Sequence, residues 1–182
     1  RPMGHVSPRL AGDGRFLGAF DDRAGTVGLT RAEQKVRGAV FELNGDRCMI
    51  CRIARPASYS HRLPRSAGGG FTVVNGLALC GDGVSGCHGA LEARPDLAYA
   101  CGWKVRRGHD PDTTAVLAEI DLRIGWWQPL HGDDAWELRD DRPRYGFRHD
   151  LEMAHWLLHA PGDVYARAAE YLPDRVIPKG MW

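Results

Sequence analysis

Long apolar runs are missing from this sequence. No stretch approaches the roughly twenty consecutive apolar residues that a membrane-crossing helix needs, so no membrane partner is expected. The N-terminal stretch has no apolar signal core, which points away from secretion and towards the cytoplasm. A phosphate-binding Gly-rich loop is missing too: Gly68, Gly69 and Gly70 lack the following Lys-Ser/Thr and the strand–helix setting. No Ser-His-Asp set follows from spacing, and there is neither an internal repeat nor a low-complexity tract. Charge of one sign is also lacking, since the net charge is +1. Five cysteines without a leader do not make a disulfide scaffold. Closely spaced cysteines in a reducing compartment more often bind metal or catalyse.

The charge that is present is unevenly placed. Residues 44–109 carry nine Lys/Arg against four Asp/Glu, whereas residues 110–182 carry eight against fourteen. A basic island attracts polyanions through its field and through counterion release, although an ordinary solvated surface reads the same way. The acidic stretch should repel DNA, which suits contact with a protein partner. The expected organisation is a loop-rich arm over 1–29, a core over 30–109 with a leading helix, and an acidic C-terminal extension over 110–182.

Local signals place the elements. "TRAE" at 30–33 is a capping box, in which Thr30 and Glu33 satisfy orphan amides at a helix start. Val36, Val40 and Leu43 then recur on one face, and "NGD" at 44–46 stops the helix. Short strands and turns follow to Leu79, with "FTVVNGLALC" supplying a β-branched run. "HGALEARPDLAYACG" is helical and ends or breaks near Pro95; "WKV" at 103–105 is strand-like. "IGWWQPLHGDDAWEL" predicts two strands joined by a Gly-Asp turn, and "HDLEMAHWLLHA" and "DVYARAAEYL" predict two helices separated by Pro161-Gly162.

Cys48-x2-Cys51 and Cys80-x6-Cys87 form two pairs at ligand spacing. A two-residue spacer lets both sulfurs face one ion, and Zn²⁺ favours four tetrahedral ligands with thiolates among the best. The second spacer, "GDGVSG", holds three glycines that let the loop fold back. A four-thiolate site has no open position, so its Zn²⁺ is structural and replaces core that a short segment cannot build. Cys101 lies outside both pairs and reads as a small buried hydrophobe.

The order Cys-x2-Cys, "SHRLPRS" with its glycines, "NGLALC" and "GDGVSGCHG" resembles the HNH endonuclease family, most closely the form found in actinobacteria and their phages. "GWKVRRGHDP" and "GWWQPLHGDDAW" resemble the tail those proteins carry, so the likeness spans about residues 44–139. It implies an α+β chain with a small ββα-metal core, an N-terminal helix, and a C-terminal hairpin plus helices. It also implies hydrolysis of DNA in a bacterial cell or phage-infected host, with RNA not excluded. Carried over by position, His61 matches the general base, Asn75 the central asparagine, and His88 the metal-binding histidine of the helix.

Elementary chemistry suits these residue types. A neutral imidazole near pH 7 can take a proton from water. Asn75 can bridge backbone groups and position His61. Glu92 lies four residues after His88 and so shares its helix face. The family often has histidine at that position; a carboxylate there favours Mg²⁺ or Mn²⁺. Ser60 is the second departure, because the residue before the base is usually His, Asp or Glu and binds the metal. A hydroxyl is a weak ligand, so a catalytically weak or inactive nucleic-acid-binding module is the alternative reading, and a subunit of a packaging or defence complex is another. Arg62, Arg65, Lys104, Arg106 and Arg107 are expected on the nucleic-acid backbone or simply in solvent. Glu152, His155 and His159 share one helix face and form a polar stripe or, less simply, a metal site. Trp126, Trp127 and Trp136 either fill the core or stack on bases.

Overall fold

The computed structural model describes residues 5–6, 28–121, 123–130, 135–138 and 147–164. Helix α1 (Arg31–Glu42) opens on the capping box at Thr30 and Glu33, with both reciprocal bonds present. Its buried face is Ala39, Val40 and Phe41. Strands β2 (Ser58–His61) and β3 (Gly76–Leu79) pair antiparallel, with Ser60 opposite Leu77 and His61 opposite Gly76. The β-branched run is shorter as a strand than its sequence suggests. Val73 and Val74 precede β3 and are buried in the connection, where a hydrogen bond from Asn75 N to Thr72 Oγ1 organises a turn.

Helix α2 (Gly86–Ala93) follows β3, and Pro95 starts the separate helix α3 (Pro95–Ala100). Proline has no N–H to give the preceding turn, but fits a first helical position. "WKV" is not a strand: Lys104 N bonds back to Ala98 O and Val105 N to Arg62 O, so the chain turns against two different elements there. Strands β4 (Val116–Ile120), β5 (Arg123–Leu130) and β6 (Ala135–Leu138) form an antiparallel sheet, joined at its edge by β1 (His5–Val6) in the order β1-β6-β5-β4. The short β1 lies in the stretch expected to be loop; two residues are too few to show a period. The expected Gly-Asp turn at 131–134 lies outside the described residues. Helix α4 (Phe147–His159) packs on β4 and β5. Most of the helix expected over "DVYARAAEYL" lies outside the described residues, although 163–164 are helical.

Among the described residues the chain is therefore α+β, with two small antiparallel sheets and flanking helices. Trp126, Trp127 and Trp136 sit in its core with Trp103, whose indole N–H donates to Leu117 O at 2.7 Å. Trp126 and Trp127 are consecutive yet both buried, so both faces of β5 are covered there, and α4 packs on the strand. The core continues from Val40 in α1 through Leu77, Leu97 and Trp127 to Leu158 in α4. Cys101 is buried within it. Among the described residues, no helix is long and apolar enough to cross a membrane.

Candidate metal centres and the hairpin–helix site

Two elements bring the cysteines together. Cys48 and Cys51 lie on a turn closed by Arg52 N donating to Cys48 O at 2.9 Å. Cys80 directly follows β3, and Cys87 lies in the first turn of α2 after a loop that turns at Gly81 (φ 76°) and Gly86 (φ 60°). Both glycines are required twice over, by left-handed φ and by space. A Cβ on Gly81 would lie 2.1 Å from Ser85 O, and one on Gly86 2.6 Å from Cys80 O. Asp82 shapes the same loop, its Oδ1 accepting from Val84 N, Ser85 N and Ser85 Oγ. That use makes Asp82 a loop-forming residue.

The four sulfurs lie within 4.8 Å of one another. Cys51 Sγ and Cys80 Sγ are 3.9 Å apart, close to the about 3.8 Å edge of a tetrahedron with zinc–sulfur bonds of roughly 2.3 Å. Cys87 N also donates to Cys80 Sγ at 3.4 Å, which supports a thiolate there. Packed this closely, the thiols shift one another's titration. Hydrogen bonding with Cys48, then Cys87, lowers Cys51 strongly. The same bond with Cys51 raises Cys48 to about 12, and bonding with Cys48 raises Cys87 as well. One thiolate is thus stabilised at its neighbours' expense, and several need a positive ion between them. The donor set and its spacing fit a metal ion such as zinc.

Beyond the cysteines, β2 and α2 face each other. Ser58 Oγ donates to Leu79 O at 3.3 Å and lies 2.8 Å from His88 Nδ1. With its proton directed to the carbonyl, the hydroxyl accepts from Nδ1–H, which leaves Nε2 as the lone-pair nitrogen. His88 Nε2 points to Glu92 Oε1 at 3.6 Å, and the same oxygen takes Lys104 Nζ at 2.5 Å. The Lys104 side chain is largely buried, while Glu92 is exposed. Sequence reasoning missed Ser58; the period-2 alternation of a strand, which puts it on the Ser60 side, was the available signal.

His61 is half-buried at the end of β2. Its ring meets Tyr59 and Phe71 edge-on, at 4.9 and 5.2 Å between centroids. Burial lowers its pKa, and the positive charges of Arg65 and Lys104 lower it further; His88 is near enough to add to the effect. Its Nε2 is buried without a hydrogen-bond partner among the described residues, as is Ser60 Oγ. His88 is also lowered, chiefly by burial. Asn75 is buried and clamps the hairpin connection: Oδ1 accepts from Leu63 N at 2.7 Å, while Nδ2 donates to Leu63 O and Gly70 O. Gly69 permits this clamp, since a Cβ there would sit 1.8 Å from Leu63 O.

The basic residues divide. Arg62 is not a nucleic-acid contact. It is 0% exposed and donates to the carbonyls of Gly102, Val74, Pro111, Thr114 and Ala115. Burial lowers it to about 9, so it remains charged at neutral pH. A planar guanidinium with five N–H donors is the one side chain that can satisfy so many converging carbonyls, which is why it sits inside. Arg65 is exposed, pairs with Glu33 and lies over Phe71. Arg106 is exposed over Tyr99, and Arg107 is exposed.

The expected trio on α4 also divides. Glu152 turns to Arg52, whereas His155 and His159 face Cys87. Comparison with models of protein families, with curated proteins and with solved structures finds no match to this chain.

Proposed function

We propose that the chain is a metal-dependent endonuclease of HNH type, with β2, β3 and α2 as its ββα-metal unit and the four cysteines as its structural zinc clip. The observation that carries this reading is the arrangement around His88. A serine holds Nδ1 and leaves Nε2 beside a carboxylate, while a half-buried imidazole of lowered pKa ends the neighbouring strand.

His88 Nε2 and Glu92 hold a hard divalent ion, Mg²⁺ or Mn²⁺, with Ser60 as a weak further donor. That ion supplies charge neutralisation at the scissile phosphate and at the departing 3′ oxygen. His61, neutral at pH 7, removes a proton from the attacking water. Asn75 holds the Leu63 backbone and thereby the end of β2 on which His61 stands, a positioning role. Arg65, Arg106 and Arg107 face solvent and can take backbone phosphates; Lys104 adds positive charge at the centre. Products carry 5′-phosphate and 3′-hydroxyl ends.

His61→Ala should abolish nicking of plasmid DNA in Mg²⁺, Mn²⁺ or Ni²⁺, with zinc content and circular dichroism unchanged. A variant that cuts normally removes His61 from the chemistry. The second reading, a nucleic-acid-binding module without catalysis, draws on the Lys104–Glu92 pair: the ammonium engages the oxygen that a metal would need. DNA binding without nicking in any of the three metals supports that reading.

A further inference from the structure

We infer that Cys87, His155 and His159 form a second metal site, which shares the Cys87 sulfur with the four-cysteine clip and takes a divalent ion of borderline softness such as Zn²⁺. The inference depends on the clip holding its own ion, and is independent of nuclease activity.

One ligand atom from each of these residues lies within 4.8 Å of the other two. Cys87 Sγ and His159 Nε2 are 3.7 Å apart, against about 3.5 Å between sulfur and nitrogen on one tetrahedral zinc. The imidazoles stand one turn apart on α4, with ring centroids 4.9 Å apart and planes at 69°. Their helix is well anchored. Leu151, Ala154, Leu157 and Leu158 bury its other side, and Arg94 Nη2 donates to Ala160 O at 2.7 Å, pinning its end to the end of α2.

Charge favours a cation at this place. Four thiolates on one divalent ion leave a net charge of about −2, and a thiolate can bridge two metals. His159 is the last residue of α4, where the helix dipole presents its negative end. Arg52, whose positive charge acts on His155, is engaged by Glu119 and Glu152. Three protein ligands leave a fourth position open on a zinc ion, and His159 is exposed, so this ion exchanges with solvent more readily than the one in the clip. Bound there, it cross-links α4 to the start of α2.

Cobalt titration of the metal-stripped chain tests this. The sulfur-to-cobalt charge-transfer band reports only thiolate-bound ions, so binding at His88 and Glu92 does not contribute. The band should keep changing through two equivalents in the native chain and stop at one in the His155→Ala/His159→Ala double variant. His159→Gln alone should weaken the second equivalent at least tenfold while leaving the first intact. Saturation at one equivalent in the native chain, or an identical titration in the double variant, overturns the inference and leaves the imidazoles as hydrogen-bond donors to sulfur.

Discussion

His61 and Arg62 are neighbours with opposite fates, because a strand sends successive side chains to opposite faces. One ends half-exposed beside Phe71, the other wholly inside. For His61, lowered pKa has a definite sign. As the proposed base, His61 works when neutral, so a folded pKa below the usual imidazole range of about 6.5 extends activity to the acid side. The acid limb of kcat/KM should fall below that value. Arg65→Ala removes the largest positive contribution and should move the limb upward. A limb indifferent to Arg65 would detach this titration from His61. For Arg62, Met of similar length should destabilise the fold by about 3 kcal/mol or more, since it orphans several buried carbonyls. Lysine should rescue little, having three donors in place of a fork. Urea unfolding measures both, and a wild-type midpoint for Arg62→Met would contradict the buried network.

At the scale of elements, the two cysteine turns hold together what little core β2, β3 and α2 possess alone. Cys48 follows α1, Cys80 follows β3 and Cys87 lies in the first turn of α2, so one ion held by the cluster would join three elements. Chelation should therefore loosen the hairpin–helix unit first. Amides of β3 and α2 should lose hydrogen-exchange protection before those of β4 and β5, and Cys51→Ser should reproduce the effect. Equal loss across both sheets would mean that the clip is not a local support. Some of this was legible beforehand. The capping box predicted the start of α1, Pro95 marked a helix boundary, and the cysteine spacing predicted a four-sulfur cluster. Each of those signals is local or rests on a ligand's spacing. Strand β4 escaped notice because its "VLAEI" is buried at every position and shows no alternation.

Across the whole molecule, the acidic stretch after residue 110 contributes to the same core as the basic stretch before it. Glu119 is buried and pairs with Arg47 and Arg52, and Glu119 N bonds Met49 O. The acceptors of Arg62 include Pro111, Thr114 and Ala115, and Trp103 bonds Leu117. A chain ending at residue 109 would expose Trp103 and leave Arg62 short of partners. It should lack cooperative unfolding and sharp tryptophan side-chain signals. A truncated chain with a cooperative transition would show that residues 110–182 are dispensable to the fold.

From sequence alone came the helix that opens at Thr30 and the convergence of Cys48, Cys51, Cys80 and Cys87. Those follow from spacing and periodicity, which operate over a few residues or through one ion's coordination. Tertiary structure alone decided that Arg62 is internal, that Ser58 holds His88, that Glu92 meets Lys104 and that His155 and His159 reach Cys87. Each of these joins segments far apart in the chain, and only the packing of one element on another brings such groups within bonding distance.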